Sequence, residues 1–226
     1  MSIVLDKFFP IIIFYCLLTS CASVNTMQTG RVLGKENLEF VGVINGGNLS
    51  SYSIQESTFF PHLEGRIRVG LNDRSDIGIT MNSNTFVGLN YKRQLLGERN
   101  SMFALAIGSE VSITPLAMFT FGSNATVITF PLHCSFHKED KFAFYFTPRY
   151  IFSAYTIYGE KSIGRDYYRE EHSLVGYTAG FKIGEQKSFF LEVSYFDQRT
   201  FSPTQIGIGI VMYLDKFDLP VLKKSK

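Results

Sequence analysis

Three cysteines and four histidines leave this 226-residue chain short of the groups that build disulfide frameworks and metal centres, and tryptophan is absent. Charge is scarce as well. Asp, Glu, Lys and Arg make up 19% of the residues, against roughly 25% in soluble globular proteins. The formal net charge is only +2, and no basic run precedes the C-terminal tail, which sets nucleic acid aside as a partner. No apolar stretch reaches the roughly 20 residues that a membrane-spanning helix needs, and no segment carries a helical period. What is abundant is Phe and Tyr, 22 and 12 of them, which bring the aromatic share to 15%.

The first twenty residues read as an address. Lys7 supplies a short positive region, and Phe8 to Leu18 form an apolar run of eleven residues, broken only by Pro10. That is the size of a signal-peptide core. Leu18-Thr19-Ser20-Cys21 follows and resembles the bacterial lipobox, in which the cysteine is lipidated and becomes the first residue of the mature chain. The resemblance implies a covalent lipid on Cys21 and loss of Cys16 with the signal. Cys134 is then left alone, so no disulfide framework can form, and it reads as a small apolar strand residue. Ser23, in the second position after Cys21, is not an inner-membrane retention signal, so transit to the outer membrane is open.

Beyond a linker at 21–35, period-two alternation dominates and predicts β-strands. Leu63, Gly65, Ile67, Val69 and Leu71 alternate with Glu64, Arg66, Arg68 and Gly70. Ile77, Ile79 and Met81 alternate with Asp76, Gly78 and Thr80; Val87, Leu89 and Tyr91 with Gly88, Asn90 and Lys92. The same pattern recurs around 103–113, 128–136, 142–152, 175–183, 189–195 and 205–214, and a weaker first strand lies around Leu38 to Ile44. The count is ten. Short polar links are expected near 72–75, 96–100, 137–140 and 184–187, and mostly longer ones near 46–59, 83–84, 114–124, 154–171 and 198–203. Bacterial outer-membrane barrels pair an even strand number with short periplasmic turns and longer outer loops. The chain then starts and finishes on the periplasmic side, where the lipid can enter the inner leaflet. Pro131 and Pro148 each remove a ladder donor; they fall nearly opposite one another, and one shared bulge is expected there.

Alternation alone does not separate a membrane barrel from a soluble one, because the two differ in which face is apolar outward. The polar face here is mostly Gly, Ala, Ser, Thr and Asn, which suits a narrow lumen where side chains converge. The Phe, Ile and Leu face suits lipid. Because the hydrocarbon layer cannot satisfy backbone groups, such a sheet must close on itself. The chain therefore resembles the bacterial outer-membrane β-barrel proteins, in a lipid-anchored form, over roughly residues 36 to 214. The expected fold is all-β, a single up-and-down antiparallel barrel of about ten strands, with a signal peptide at 1–20 and a polar tail at 215–226. The resemblance is architectural and carries no functional residues. One departure is that Tyr213-Leu214 closes the last strand but not the chain.

The lumen charges on this phasing are Glu64, Arg66, Arg68, Asp76, Lys92, Glu110, Arg149, Lys182 and Glu192. Isolated buried ions are costly, so a paired network filling a narrow lumen is expected, with a polar pathway for a small solute as the alternative. His133 and Ser135 share a face, but both point into the lumen near the periplasmic end, away from any acyl chain, so no catalytic residue is assigned. His62 and His172 lack ligand-like spacing, so no metal and no cofactor is expected. The stretch 154–171 places Tyr155, Tyr158, Tyr167 and Tyr168 among Arg165, Arg169 and other charges, a composition favoured at recognition surfaces. Asn45-Gly46-Gly47-Asn48 reads as a turn. The partners implied are outer-membrane lipid, the covalent lipid on Cys21 and an extracellular or periplasmic protein. The expected role is structural or surface-interacting and non-enzymatic. A soluble calycin-like lipoprotein carrying an apolar ligand is the competing reading, and an acyl hydrolase a more distant one.

Overall fold

A computed structural model describes residues 26–51, 54–83, 86–98, 100–114, 123–157, 168–197 and 204–214. Ten strands form one closed antiparallel barrel in which each strand pairs with its sequence neighbours and β1 closes against β10. They are β1 (Leu38–Ser51), β2 (Ile54–Asn72), β3 (Ser75–Asn82), β4 (Val87–Leu96), β5 (Phe103–Ile113), β6 (Ser123–Lys138), β7 (Phe142–Ile157), β8 (Tyr168–Gly184), β9 (Lys187–Asp197) and β10 (Thr204–Leu214). The expected strand number, order and parity all hold. Closure leaves no edge, so every strand has a ladder partner on both sides.

The apolar rows face outward. Ile44, Leu63, Val175 and Ile210 are 58–64% exposed, and the alternate positions Glu39, Arg66, Asp76, Thr178 and Glu192 are buried. Near the end with the short links, Phe103 stacks obliquely on Phe136, ring centroids 5.1 Å apart, and Phe142, Phe144 and Phe189 are exposed on the same outer surface. Tyr177 bridges Phe146 and Tyr195 higher on the wall. Cys134 lies on the outward row and is half-buried.

Several strands run further than the alternation indicated. β1 and β2 pair out to Ser51 and Ile54, so the expected 46–59 loop is mostly hairpin, and Asn45 to Asn48 lie within a strand, paired to residues 59–62 of β2. β7 and β8 likewise pair out to Ile157 and Tyr168, so 154–157 and 168–171 of the expected loop are strand, and 158–167 lie outside the described residues. These extensions are rich in Ser, Thr, Tyr and charge. That composition imitates a loop while the backbone ladder continues.

The proline expectation needs a different correction. Pro131 lies opposite Arg149, and the next pair on the β6–β7 ladder is Cys134 with Phe146. The spacing on the two strands is equal, so the ladder lapses for two pairs without an extra residue, and there is no bulge. On the other side, the β5–β6 ladder skips between Ile107–Leu132 and Glu110–Thr129 in the same register. Gly108 sits there because a Cβ would stand 2.9 Å from the Pro131 ring. Two prolines almost facing one another remove donors from one patch, and a local gap accommodates that loss without shifting the inward and outward rows. Of the amides of Leu132 and His133, the one directed at β7 should therefore exchange at least tenfold faster than those of Ile128 and Phe136 in detergent-solubilised protein. Equal protection would contradict the gap.

Candidate functional site

The interior of the barrel is occupied by the chain itself. Residues 26–33, expected as part of a linker on the periplasmic side, lie inside the lumen, with Thr26, Met27, Gln28, Val32 and Leu33 buried. The segment leaves β1 through a reversal at the short-link end, where Gly34 adopts φ 80° and its carbonyl accepts from the Asn37 amide. A Cβ on Gly70 would lie 1.7 Å from the Gly34 oxygen, so this crossing requires glycine in the wall.

The inserted backbone is neither helix nor strand, and its N–H and C=O groups need partners once buried. The wall supplies them. The amides of Thr26 and Met27 each donate to the Glu192 carboxylate at 2.8 Å, and Tyr145 Oη donates to it from the side at 2.8 Å. Arg66 donates to the Thr26 carbonyl. The Gly30 amide donates to Ser135 Oγ at 2.9 Å, that of Val32 to Gln94 Oε1 at 3.0 Å, and that of Leu33 to Asp76 Oδ2 at 3.3 Å. Lys92 Nζ donates to the carbonyls of Arg31 and Thr29 at 2.8 and 3.3 Å. Gln28 Oε1 accepts from Arg68 at 2.9 Å.

Charges that serve the inserted segment also neutralise one another. Arg66 pairs with Glu64 at 2.9 Å, Arg68 with Glu39 and with Asp76 at 2.5 and 3.5 Å, and Lys92 with Asp76 at 3.5 Å. Arg149 is held by the Thr178 and Ser194 hydroxyls and lies over the Phe196 ring, 5.0 Å from its centroid. Breaking one member of such a buried set leaves an uncompensated charge, which is strongly destabilising. Apolar contacts complete the fit. Met27 packs among Val41, Val43, Tyr145, Phe190 and Val211. A second cluster of Phe86, Ala125, Val127, Ile151 and Phe196 lines the wall toward the opposite end.

Of the nine charges expected in the lumen, Glu64, Arg66, Arg68, Asp76, Lys92, Arg149 and Glu192 are buried there. Glu110 is half-buried and accepts from Ser112 at 3.1 Å. Lys182 is half-buried at the short-link mouth, 4.8 Å from the centre of the Tyr213 ring. Glu39, fully buried beside Arg68, was missed, although its place one residue before Phe40 on the weak first strand, out of phase with Phe40 and exposed Ile44, carried the signal. His133 and Ser135 both face inward, as expected, but the hydroxyl meets His137 Nε2 at 2.8 Å rather than His133. Ser135 lies fully buried under the Gly30 amide, where no substrate reaches it. His133 Nδ1 lies 3.4 Å from the Thr147 hydroxyl. His62 Nε2 lies between the amide nitrogens of Asn45 and Gln205, 3.1 and 2.8 Å away. Among the described residues, no three of His, Cys, Asp and Glu gather so as to hold a metal ion.

The residues expected to form an outer recognition loop are only partly within reach. Tyr158, Arg165 and Tyr167, together with Cys21, lie outside the described residues. Tyr155 and Tyr168 belong to strands, their backbones paired with Glu170 and Ile157, and exposed Arg169 pairs with Glu171 at 2.7 Å on β8.

No protein-family model and no curated protein matches the chain. Solved structures to which it is similar include the attachment invasion locus protein Ail of Yersinia pestis, with a TM-score of 0.40, 6% identity, 80% of this chain and 99% of that one covered. Neisserial surface protein A gives 0.41, 9%, 77% and 96%, and the outer membrane protease OmpT from Escherichia coli gives 0.42, 13%, 85% and 100%. The protein is a ten-stranded, closed, antiparallel barrel with an apolar exterior and a lumen occupied by its own residues 26–33.

Replacing Glu192 with Ala strips two segment amides and Tyr145 Oη of their acceptor, a loss of about 1–3 kcal/mol for buried groups left unpaired. Tryptic cleavage after Arg31 in the folded, detergent-solubilised protein should accelerate about tenfold or more, while the barrel itself stays intact by gel migration. An unchanged cleavage rate would show that Glu192 does not hold the segment.

Proposed function

We infer that this protein is a bacterial outer-membrane barrel, anchored by a lipid on Cys21, whose role is structural or surface-interacting rather than catalytic. One observation carries the membrane assignment. The outward positions of all ten strands form a continuous apolar surface, with Ile, Leu, Val, Met and Phe largely exposed. Soluble monomers rarely expose apolar patches above a few hundred Å², whereas a lipid bilayer requires such a belt. The shortest strands, β3 with 8 residues and β4 with 10, are close to the 9–11 residues that cross a bilayer at a tilt.

The soluble-carrier alternative needs the reverse arrangement, an apolar interior able to hold a ligand, and here charged and polar side chains line most of the lumen and residues 26–33 occupy it. The same occupancy argues against a resting channel. Catalysis has no support in the Ser135–His137 contact, which is capped by the Gly30 amide. Surface interaction remains open to the outer ends of β1–β2 and β6–β8, which extend past the shortest strands. Lipidation rests on Leu18-Thr19-Ser20-Cys21 following an apolar export segment.

Two measurements test this reading. The membrane-fraction protein should migrate faster on a gel before heating than after, as a detergent-resistant barrel does, and should need detergent for extraction. Wild-type protein should incorporate radiolabelled palmitate, and Cys21→Ala should lose that label while keeping the heat-modifiable migration. A Cys21→Ala form that is soluble and monomeric without detergent would overturn the membrane assignment, and palmitate retained in that variant would overturn the anchor.

A further inference from the structure

We propose that the outer half of the lumen holds a second permeability barrier, an apolar septum of Phe86, Ala125, Val127, Ile151 and Phe196, which keeps the barrel closed to ions when the inserted segment is out of place. This goes beyond the role given above and rests on the membrane-barrel reading.

The inserted segment is a plug held mainly by polar contacts. Glu192, Ser135, Asp76 and Lys92 bond its backbone, and water can serve each of these groups in its place, so the exchange changes little free energy. The ladder that closes the wall runs from strand to strand and does not pass through the segment. Departure of residues 26–33 therefore hydrates the charges and leaves the cylinder standing. A barrel that relied on this plug alone would then be open.

The five septum residues stand above the plug. β4 and β9 lie on opposite sides of the ten-strand ring. Phe86, immediately before β4, and Phe196, on β9, nevertheless pack in one buried cluster with Ala125 and Val127 of β6 and Ile151 of β7. Phe196 comes four positions after Glu192 on the same strand, about 13 Å of strand nearer the outer end. On the remaining arc, buried Asn45, His62 and Gln205 of β1, β2 and β10 meet at His62 Nε2.

The apolar side chains nearer the other end have an occupant to pack on, because Val41, Val43, Phe190 and Val211 surround Met27. The outer cluster packs on itself, and among the described residues it includes none of the inserted segment. It is also a built feature of the wall. Gly176 lies opposite Phe196 on β8, and a Cβ there would collide with the Phe196 ring. The Arg149 guanidinium lies against the same ring, 5.0 Å from its centroid. Glycine and arginine together seat the ring inside the lumen.

Between plug and septum is a polar cavity of 30 Å³, lined by Thr26 and Gln28 of the segment and by Asn90, Thr129 and Arg149 of the wall, among others. It has room for about two waters. Val127 and Ile151 come two positions after Thr129 and Arg149 on the same strands, so the apolar level begins where the wet one ends. A narrow apolar passage sheds its water and stops ions, and that is the property a polar plug lacks.

The test measures potassium chloride current across planar phosphatidylethanolamine–phosphatidylglycerol bilayers. They hold full-chain Glu192→Ala protein in which trypsin has cut after Arg31, severing the segment from β1. Heat-modifiable gel migration of each sample reports the folded barrel, and its absence in the wild type counts against the membrane-barrel reading instead of the septum. The cleaved Glu192→Ala protein is expected to stay within about twofold of the bare bilayer. Adding Phe196→Ser, or Val127→Thr as a change of nearly equal volume, is expected to raise the current at least tenfold. The proposal is overturned if cleaved Glu192→Ala alone conducts as well as the septum variants do, or if both septum variants, folded and cleaved, stay at background.

Discussion

Everything in the interior follows from one constraint: residues 26–33 have no regular secondary structure and lie inside the barrel, six of them buried and Thr29 and Arg31 half-buried, so their amides and carbonyls must find partners in the wall. Each unpartnered backbone group in such a place costs free energy comparable to a lost hydrogen bond. The barrel meets that demand with side chains of both signs, so that Glu192, Arg66, Asp76 and Lys92 each bond the segment's backbone. Three of them are also tied into ion pairs with Glu64, Arg68 or each other. The charges are therefore best understood as a binding site for one particular peptide, which happens to be this chain's own N-terminal segment.

The exterior answers the opposite requirement. Closure pairs the ladder and removes the edges, so the outer wall presents apolar side chains without exposing backbone to lipid. Small residues on the inward rows then make room for what the lumen must hold. A Cβ at Gly209 would stand 3.2 Å from Met27 Sδ, and one at Gly180 would stand 2.5 Å from Tyr145 Oη. The inward glycines that looked like mere thinness in a narrow barrel are in places the sockets for Met27 and for the tyrosine that supports Glu192.

The strand count, the antiparallel order and the assignment of faces were legible because period two is a strong signal wherever one face meets lipid and the other does not. The ends of β1, β2, β7 and β8 were not, because their Ser, Thr, Tyr and charged residues break the apolar alternation and read as loop. Pro131 and Pro148 were expected to share one bulge, and the ladders lapse there without one; the sequence does not distinguish the two. The buried role of Thr26 to Leu33 left no trace at all in local pattern. It depends on partners 43 to 166 residues away, and a short polar segment before the first strand looks the same whether it lies outside the barrel or within it. For the same reason the charges at Glu64 to Glu192 were expected to satisfy one another, when Glu192, Arg66, Asp76 and Lys92 also bond the backbone of the segment.

The most direct test of this account is amide hydrogen exchange across residues 26–33 in the folded, detergent-solubilised protein. The amides of Thr26, Met27, Gly30 and Val32 should be protected to a degree comparable with the strands around them. Exchange at the rate of an unstructured peptide would show that the lumen does not hold the segment, and the explanation of its charges would fall.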